Sequence, residues 1–253
     1  MMPKKQEMML LRQEQVGEDI FRLTLQGEVA ALPGQFVQVG VAPALDPYLL
    51  RPFSVHDCSP DTLTLLYRIA GRGTLLLSRR QPGEMLTVTG PLGRGFPAGK
   101  ADRAVVVAGG MGAAPLLYLL RFLRAAGKDV AFFYGARTAA GLVLQDSYRS
   151  LADEYTAATE DGSAGKKGLV TQFVHPALSG KKADLYACGP LPMLRAVAAL
   201  AKEAGADCYL SLEARMACGV GACLGCVIRG ADGGWRRVCT DGPVFRAEEV
   251  FGR

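Results

Sequence analysis

The chain has 253 residues, enough for two ordinary domains or two plus an appendage. Its 49% hydrophobic and 8% aromatic content is that of a core-forming protein, and a net charge of +5 without a basic run interleaved with aromatics argues against nucleic acid as a partner. No stretch approaches about 18 uncharged apolar residues and the amino terminus lacks an apolar signal core, so neither a membrane span nor secretion is expected, and a reducing cytoplasm suits the seven cysteines.

From Gln6 to about Thr89 the pattern is all-β. Phe21-Arg-Leu-Thr-Leu and Gln35-Phe-Val-Gln-Val alternate apolar and polar with period two, as half-buried strands do. Turn signals at Pro33-Gly34, Cys58-Ser-Pro-Asp61 and Pro82-Gly83 separate further strands at Asp61–Ile69 and Glu84–Val88. Short strands at this spacing predict an antiparallel barrel or sandwich. Gly73-Thr74-Leu-Leu-Leu reads as a short helix with Thr74 as its N-cap. Two stretches here carry chemistry. Arg51-Pro52-Phe53-Ser54-Val55 places a cation, a rigid turn, an aromatic ring and a hydroxyl together. Tyr67-Arg68-Ile69-Ala70-Gly71-Arg72-Gly73-Thr74 ends a strand in a glycine-rich loop at a helix start, where backbone N–H groups and an arginine suit an anionic phosphate.

The pattern changes across the Gly/Pro-rich residues 90–103. Ala104-Val-Val-Val-Ala is a continuous apolar run, the mark of a parallel strand buried on both faces. It enters Gly109-Gly110-Met111-Gly112-Ala113-Ala114-Pro115 and an apolar helix through Leu123. A strand at Val130–Arg137, a helix around Leu142–Asp153, a strand at Tyr155–Thr159, another ending at Cys188-Gly189-Pro190, and a helix at Pro192–Ala204 complete a doubly wound α/β domain.

After it, Cys218, Cys223, Cys226 and Cys239 are spaced C-x4-C-x2-C-x12-C, with Gly219, Gly221 and Gly225 between the first three. The first three cysteines, with spacings x4 and x2, match the run by which plant-type ferredoxins hold a 2Fe–2S cluster. The glycines allow a tight loop with backbone N–H groups turned toward sulfur. A zinc ribbon would pair two C-x2-C knuckles, and only Cys223/Cys226 form one. A disulfide framework suits a small secreted chain. Cys58, Cys188 and Cys208 read as packing residues, and His56 and His175 as structural. No Ser/His/Asp set or carboxylate pair suggests hydrolysis.

The domains are therefore expected at 1–99 (flavin barrel), 100–210 (nucleotide-binding α/β domain) and 211–253 (cluster lobe). The first two motifs together resemble the flavin domain of the ferredoxin reductase superfamily. That resemblance implies FAD, with Arg51 on its pyrophosphate beside Pro52, Phe53 against the isoalloxazine and Ser54 near its redox-active nitrogen. It further implies Arg68, Ile69 and Ala70 as lining residues, with Gly73 and Thr74 on the pyrophosphate. The run Pro43-Ala-Leu-Asp-Pro47 looks like a loop over this site. Gly-Gly-x-Gly followed by Cys-Gly-Pro resembles the nicotinamide half of the same superfamily, implying Gly110, Met111 and Gly112 at the dinucleotide phosphates and Cys188, Gly189 and Pro190 at the nicotinamide. Arg137 has two readings, a partner for a 2′-phosphate or an exposed side chain, so NAD and NADP both stand; Glu160 and Asp161 have no assigned role.

NAD(P)H exchanges two electrons and an iron–sulfur cluster one, and flavin does both, so the chain would split or merge electron pairs. Glu213-Ala-Arg-Met-Ala-Cys-Gly-Val-Gly-Ala-Cys-Leu-Gly-Cys is similar to the cluster loop of the electron-transfer subunits of class B dihydroorotate dehydrogenase, a family whose layout matches the whole chain. That family implies a partner carrying FMN that oxidises dihydroorotate in pyrimidine biosynthesis, an α2β2 assembly, and electrons leaving through the cluster and FAD to NAD+. Transhydrogenase and sulfide- or hydrogenase-linked reductase subunits share the layout, although some replace one thiolate with aspartate. A ferredoxin-like carrier without nucleotide turnover is the other alternative.

Overall fold

The computed structural model describes residues 3–42, 46–178 and 182–252. Pro43, Ala44 and Leu45 of the expected proline-rich loop lie outside the described residues; Asp46, which follows, pairs with Arg72 at 2.7 Å.

Strands β1 (Lys4–Gln15), β2 (Ile20–Gln26), β3 (Phe36–Val39), β4 (Arg51–Ser59), β5 (Thr62–Arg68) and β6 (Met85–Leu92) close into an antiparallel barrel in the order β1-β2-β5-β4-β3-β6. Alternation explains the closure: Leu23 and Leu25, Val37 and Val39, and Leu63 and Leu65 turn inward and are fully buried. Helix α1 (Arg72–Leu77) has its N-cap three positions before the expected one. Gly71 is the N-cap and Thr74 is the third helical residue, its hydroxyl accepting the Ala70 and Gly71 N–H groups at 2.8 and 3.2 Å.

The second layer contains β7 (Arg103–Gly109), α2 (Leu116–Ala125), β8 (Asp129–Ala136), α3 (Gln145–Arg149), β9 (Glu154–Thr159), β10 (Lys166–Lys167), α4 (His175–Leu178), β11 (Ala183–Cys188), α5 (Leu191–Ala204) and β12 (Cys208–Ser211). The apolar run of β7 is buried on both sides. Val105 and Val107 face one core cluster; Ala104, Val106 and Ala108 face the other. Each buried valine contributes at most about 1.5–3 kcal/mol. The helix expected over Leu142–Asp153 is reduced to α3, because Leu144 takes a left-handed φ of 54° and Leu142 and Val143 are used as core.

The cysteine segment carries a hairpin, β13 (Val227–Arg229) with β14 (Trp235–Arg237), and then returns to the sheet. Strand β15 (Val244–Arg246) pairs antiparallel with β12, followed by α6 (Ala247–Phe251) against α5. The seven strands run β10-β9-β8-β7-β11-β12-β15, parallel except the last. Phe36 and Leu92 of the barrel, Leu210 and Phe245 of the sheet, and Cys226, Val238 and Cys239 share one core cluster. That shared core wedges the cysteine loop between barrel and sheet. Among the described residues, no helix is long and apolar enough to cross a membrane.

Candidate functional site

At the carboxyl ends of β7 and β11 two backbone segments meet. Met111 lies in a single 3-10 turn, Gly110–Ala113, between β7 and α2. A Cβ on Gly112 would lie 2.1 Å from the Cys188 carbonyl oxygen, and one on Gly189 would lie 3.0 Å from Gly109 Cα. Only glycine permits that approach. The glycine turn and Cys188-Gly189-Pro190, 76 positions apart between Gly112 and Cys188, thus form one wall of a cleft of about 950 Å³, with Arg68 reaching in from the barrel. This is the topological position where open α/β sheets take ligands. Cys188 lies behind this wall with its carbonyl against Gly112; the residue is 2% exposed and burial pushes its thiol up to about 12.

Two cleft residues, Glu213 and Glu160, had no role from sequence, and Arg137 had two readings. Glu213, at the end of β12, borders the cleft beside Cys188, and burial raises its carboxyl above the usual range. Arg137 and Glu160 sit together at the far end, after β8 and β9. Asp161 is separate from them in function: its carboxylate accepts the Ser163 N–H at 2.9 Å and the Ser163 hydroxyl at 2.6 Å, which holds it below the ordinary range.

The two barrel motifs also converge. A Cβ on Gly73 would lie 2.5 Å from Arg51 Nε, so the guanidinium rests on the glycine loop. Arg51 donates to the Leu49 carbonyl, and Arg68 Nε to Asp19 at 3.2 Å. Ile69 donates its N–H to the Asp19 carbonyl at 2.8 Å. Pro52 and Ser54 are half-buried on β4. Phe53 differs from its expected setting. It is 8% exposed and packs in the barrel core, tilted 59° against Tyr67 at 5.5 Å, leaving little ring surface for a cofactor. Thr74 likewise spends its hydroxyl on the loop, donating to the Gly71 carbonyl at 3.0 Å.

The four thiols meet two and two. Cys218 is tied to Cys223, and Cys226 to Cys239, through a backbone N–H of the second cysteine directed at the sulfur of the first. Among the described residues, no three Cys, His, Asp or Glu side chains converge on one point. A two-iron cluster takes two thiolates at each iron, and four thiols in two pairs are a donor set that suits it. Backbone donors surround the sulfurs: Cys223 N–H to Cys218 Sγ at 3.3 Å, Gly225 N–H to Cys223 Sγ at 3.4 Å, and Cys239 N–H to Cys226 Sγ at 3.4 Å. Burial opposes ionisation of Cys218, but the N–H groups of Cys223, Val220 and Ala222 prevail and bring it to about 7. Burial drives Cys239 the other way, to about 11. The pairs differ in exposure: Cys226 and Cys239 are buried, while Cys223 is exposed. Gly219 and Gly221 have φ of +69° and +81°, and Leu224 holds the left-handed region at 55° although it carries a side chain that is 58% exposed.

Comparison with known proteins agrees with this geometry. The family model for the iron-sulfur cluster binding domain of dihydroorotate dehydrogenase B matches residues 213–251, and that for the oxidoreductase NAD-binding domain matches residues 106–199. The dihydroorotate dehydrogenase B (NAD(+)) electron transfer subunit of Geobacillus thermodenitrificans is 42% identical, covering 97% of this chain and 98% of its own length. Its counterpart in Bacillus mycoides is 41% identical over 98% and 99%. Among solved structures, an NADH-dependent reduced ferredoxin-NADP oxidoreductase studied for flavin-based electron bifurcation superposes with a TM-score of 0.85 at 29% identity, over 96% of this chain and 89% of that one. The cytochrome b5 reductase domain of Ulva prolifera nitrate reductase, at 15% identity and a TM-score of 0.66 over 80% and 93%, shares the fold. The chain belongs to the family of electron transfer subunits of NAD+-linked dihydroorotate dehydrogenase B.

Proposed function

We propose that this chain is the electron-transfer half of a dihydroorotate dehydrogenase of pyrimidine biosynthesis, working in the cytoplasm in an α2β2 complex with a partner that carries FMN and oxidises dihydroorotate. The observation that carries this reading is the shared core that seats the four-cysteine loop between the barrel and the nucleotide cleft. Bound flavin supplies the exchange between one-electron chemistry at a cluster and hydride chemistry at NAD+.

The chain's own residues bind and aim. Cys218 and Cys223 hold one iron and Cys226 and Cys239 the other. Arg51, braced on Gly73, pairs with the FAD pyrophosphate. Ser54 hydrogen-bonds the redox-active edge of the flavin, with Pro52 beside it. Arg68 with the Ile69 and Ala70 backbone borders the ring, and Phe53 supports the barrel wall from within. Thr74 shapes the phosphate loop through its cap. Gly110, Met111 and Gly112 carry the dinucleotide phosphates, and the Cys188-Gly189-Pro190 backbone borders the nicotinamide. The working units are residues 1–99, 100–210 and 211–253, with β15 of the last completing the sheet of the second. Val220 and Leu224, 50% and 58% exposed beside the outer thiol pair, form the docking face with Val227 in support.

The reading is tested by assaying the purified chain anaerobically for FAD, iron and acid-labile sulfide, then adding the FMN subunit. It predicts all three cofactor components, NADH–dye diaphorase activity alone, and dihydroorotate-dependent NAD+ reduction only with the partner. Zinc in place of iron and sulfide would refute it.

A further inference from the structure

Strand β3 is four residues long and every one is buried, including the amide of Gln38 at 2% exposure. In an alternating strand a polar residue at this position should face solvent. Here the face is covered by the cysteine loop. Gln38 Nε2 donates to the Ala217 carbonyl at 3.0 Å, across 179 positions, and Ala217 immediately precedes Cys218. On the other side of that cysteine, a Cβ on Gly219 would lie 2.7 Å from Gln38 Cδ and Oε1. The loop therefore closes on this amide from both sides of a thiol. In the barrel, Gln38 registers with Pro52 of β4, and its neighbours Val37 and Val39 with Phe53 and Arg51. The Gln38 side chain thus ties β3, the paired neighbour of the strand read as flavin-binding, to the loop read as cluster-binding.

Burying an amide costs its desolvation if it is left unpaired, whereas a leucine here would pack without that liability. The retained amide has a use that packing alone does not supply. We propose that Gln38 is a positioning residue for electron transfer: it sets the separation between flavin and cluster and provides the hydrogen-bonded bridge along which single electrons pass. The proposal rests on the assignment of FAD to β4 and of a 2Fe–2S cluster to the cysteines. In each passage one ferrous iron becomes ferric as the flavin gains one electron, and two passages accumulate the pair that NAD+ removes as hydride. Gln38 itself takes up neither electron nor proton.

The test compares the full-length, cofactor-loaded chain with Gln38→Leu and Gln38→Met, both near in volume and unable to donate. FAD, iron and sulfide contents, the electron paramagnetic resonance spectrum and the midpoint potential of the cluster are measured first. Stopped-flow spectroscopy then follows flavin bleaching by NADH and, separately, cluster reduction. Expected are normal contents, spectrum, potential and flavin bleaching, with cluster reduction slowed roughly tenfold or more, the scale on which outer-shell partners of metal sites act. Wild-type cluster reduction in both variants would overturn the proposal. Loss of the cluster from both would also overturn it, making Gln38 a structural tie. A wild-type chain without flavin or sulfide would instead refute the parent reading, and the proposal with it.

Discussion

Gly112→Ala probes the closest backbone approach in the molecule's cleft. The added methyl would sit 2.1 and 2.4 Å from the Cys188 carbonyl oxygen and carbon and 2.7 Å from the Gly189 nitrogen. All three are backbone atoms at the end of β11, which is hydrogen-bonded to β7, so no rotamer change relieves the clash. The two segments must part by more than an ångström to restore ordinary contact. Overpacking a tight site costs about 1–3 kcal/mol, and a clash against backbone belongs at the upper end, near ~3 kcal/mol. Gly127→Ala is the control: its φ is +75° but nothing lies within 4 Å, so only the left-handed backbone penalty of roughly 1–2 kcal/mol applies. Urea denaturation gives the stabilities, and NADH–ferricyanide kinetics give the KM for NADH. Gly112→Ala should lose more stability than the control and raise KM if, as proposed, the displaced turn carries the dinucleotide phosphates. Equal stabilities with an unchanged KM would refute the cleft assignment.

Arg51→Ala should release FAD, on the order of 2–5 kcal/mol if the pair with pyrophosphate is desolvated, while Ser54→Ala keeps the flavin and slows hydride exchange; equal retention, read by flavin absorbance after gel filtration, would count against the barrel assignment. His56 is 1% exposed and its Nδ1 lies 2.7 Å from the Ala114 carbonyl oxygen, while burial lowers it from 6.5 to about 4. Between those values the unfolded chain binds a proton that the folded chain does not, so stability falls as pH drops from 6.5 to 4, by up to ~3 kcal/mol from this group. Urea midpoints across that window should fall less steeply in His56→Gln, and parallel slopes would discount the histidine. Cys58→Ser and Cys208→Ser should leave iron and sulfide contents unchanged, since neither thiol belongs to the two pairs; bleaching in either would change the ligand set.

Much of the fold was legible because local periodicity and burial coincide. Period-two strands named the barrel, and the all-apolar run of β7 named a sheet covered on both faces. Misreadings fell where a distant segment decides an environment. Leu142 to Leu144 look helical, but the core takes their side chains before α3 begins. Thr74 resembles an N-cap, yet its hydroxyl serves better from the third helical position, behind Gly71. Phe53 stands beside residues of a binding motif, but strand alternation with Val55 turns it into the barrel. The edge strand β15 is three residues long and has no pattern of its own; it exists because β12 offers an unpaired edge. Gln38 was invisible for the same reason, its burial coming from a loop 179 positions away. The cysteines, by contrast, drew attention by spacing alone, because a cluster demands that spacing locally.

The electron route is tested most directly by Cys226→Ser, assembled with the FMN subunit and checked for folding and retained FAD. Cys226 is 2% exposed and its sulfur accepts the Cys239 N–H, so its replacement should remove one of the two buried thiolates without disturbing the nucleotide cleft. The expected result is loss of dihydroorotate-dependent NAD+ reduction with NADH–dye activity intact. Coupled turnover at the wild-type rate in that variant would contradict the account.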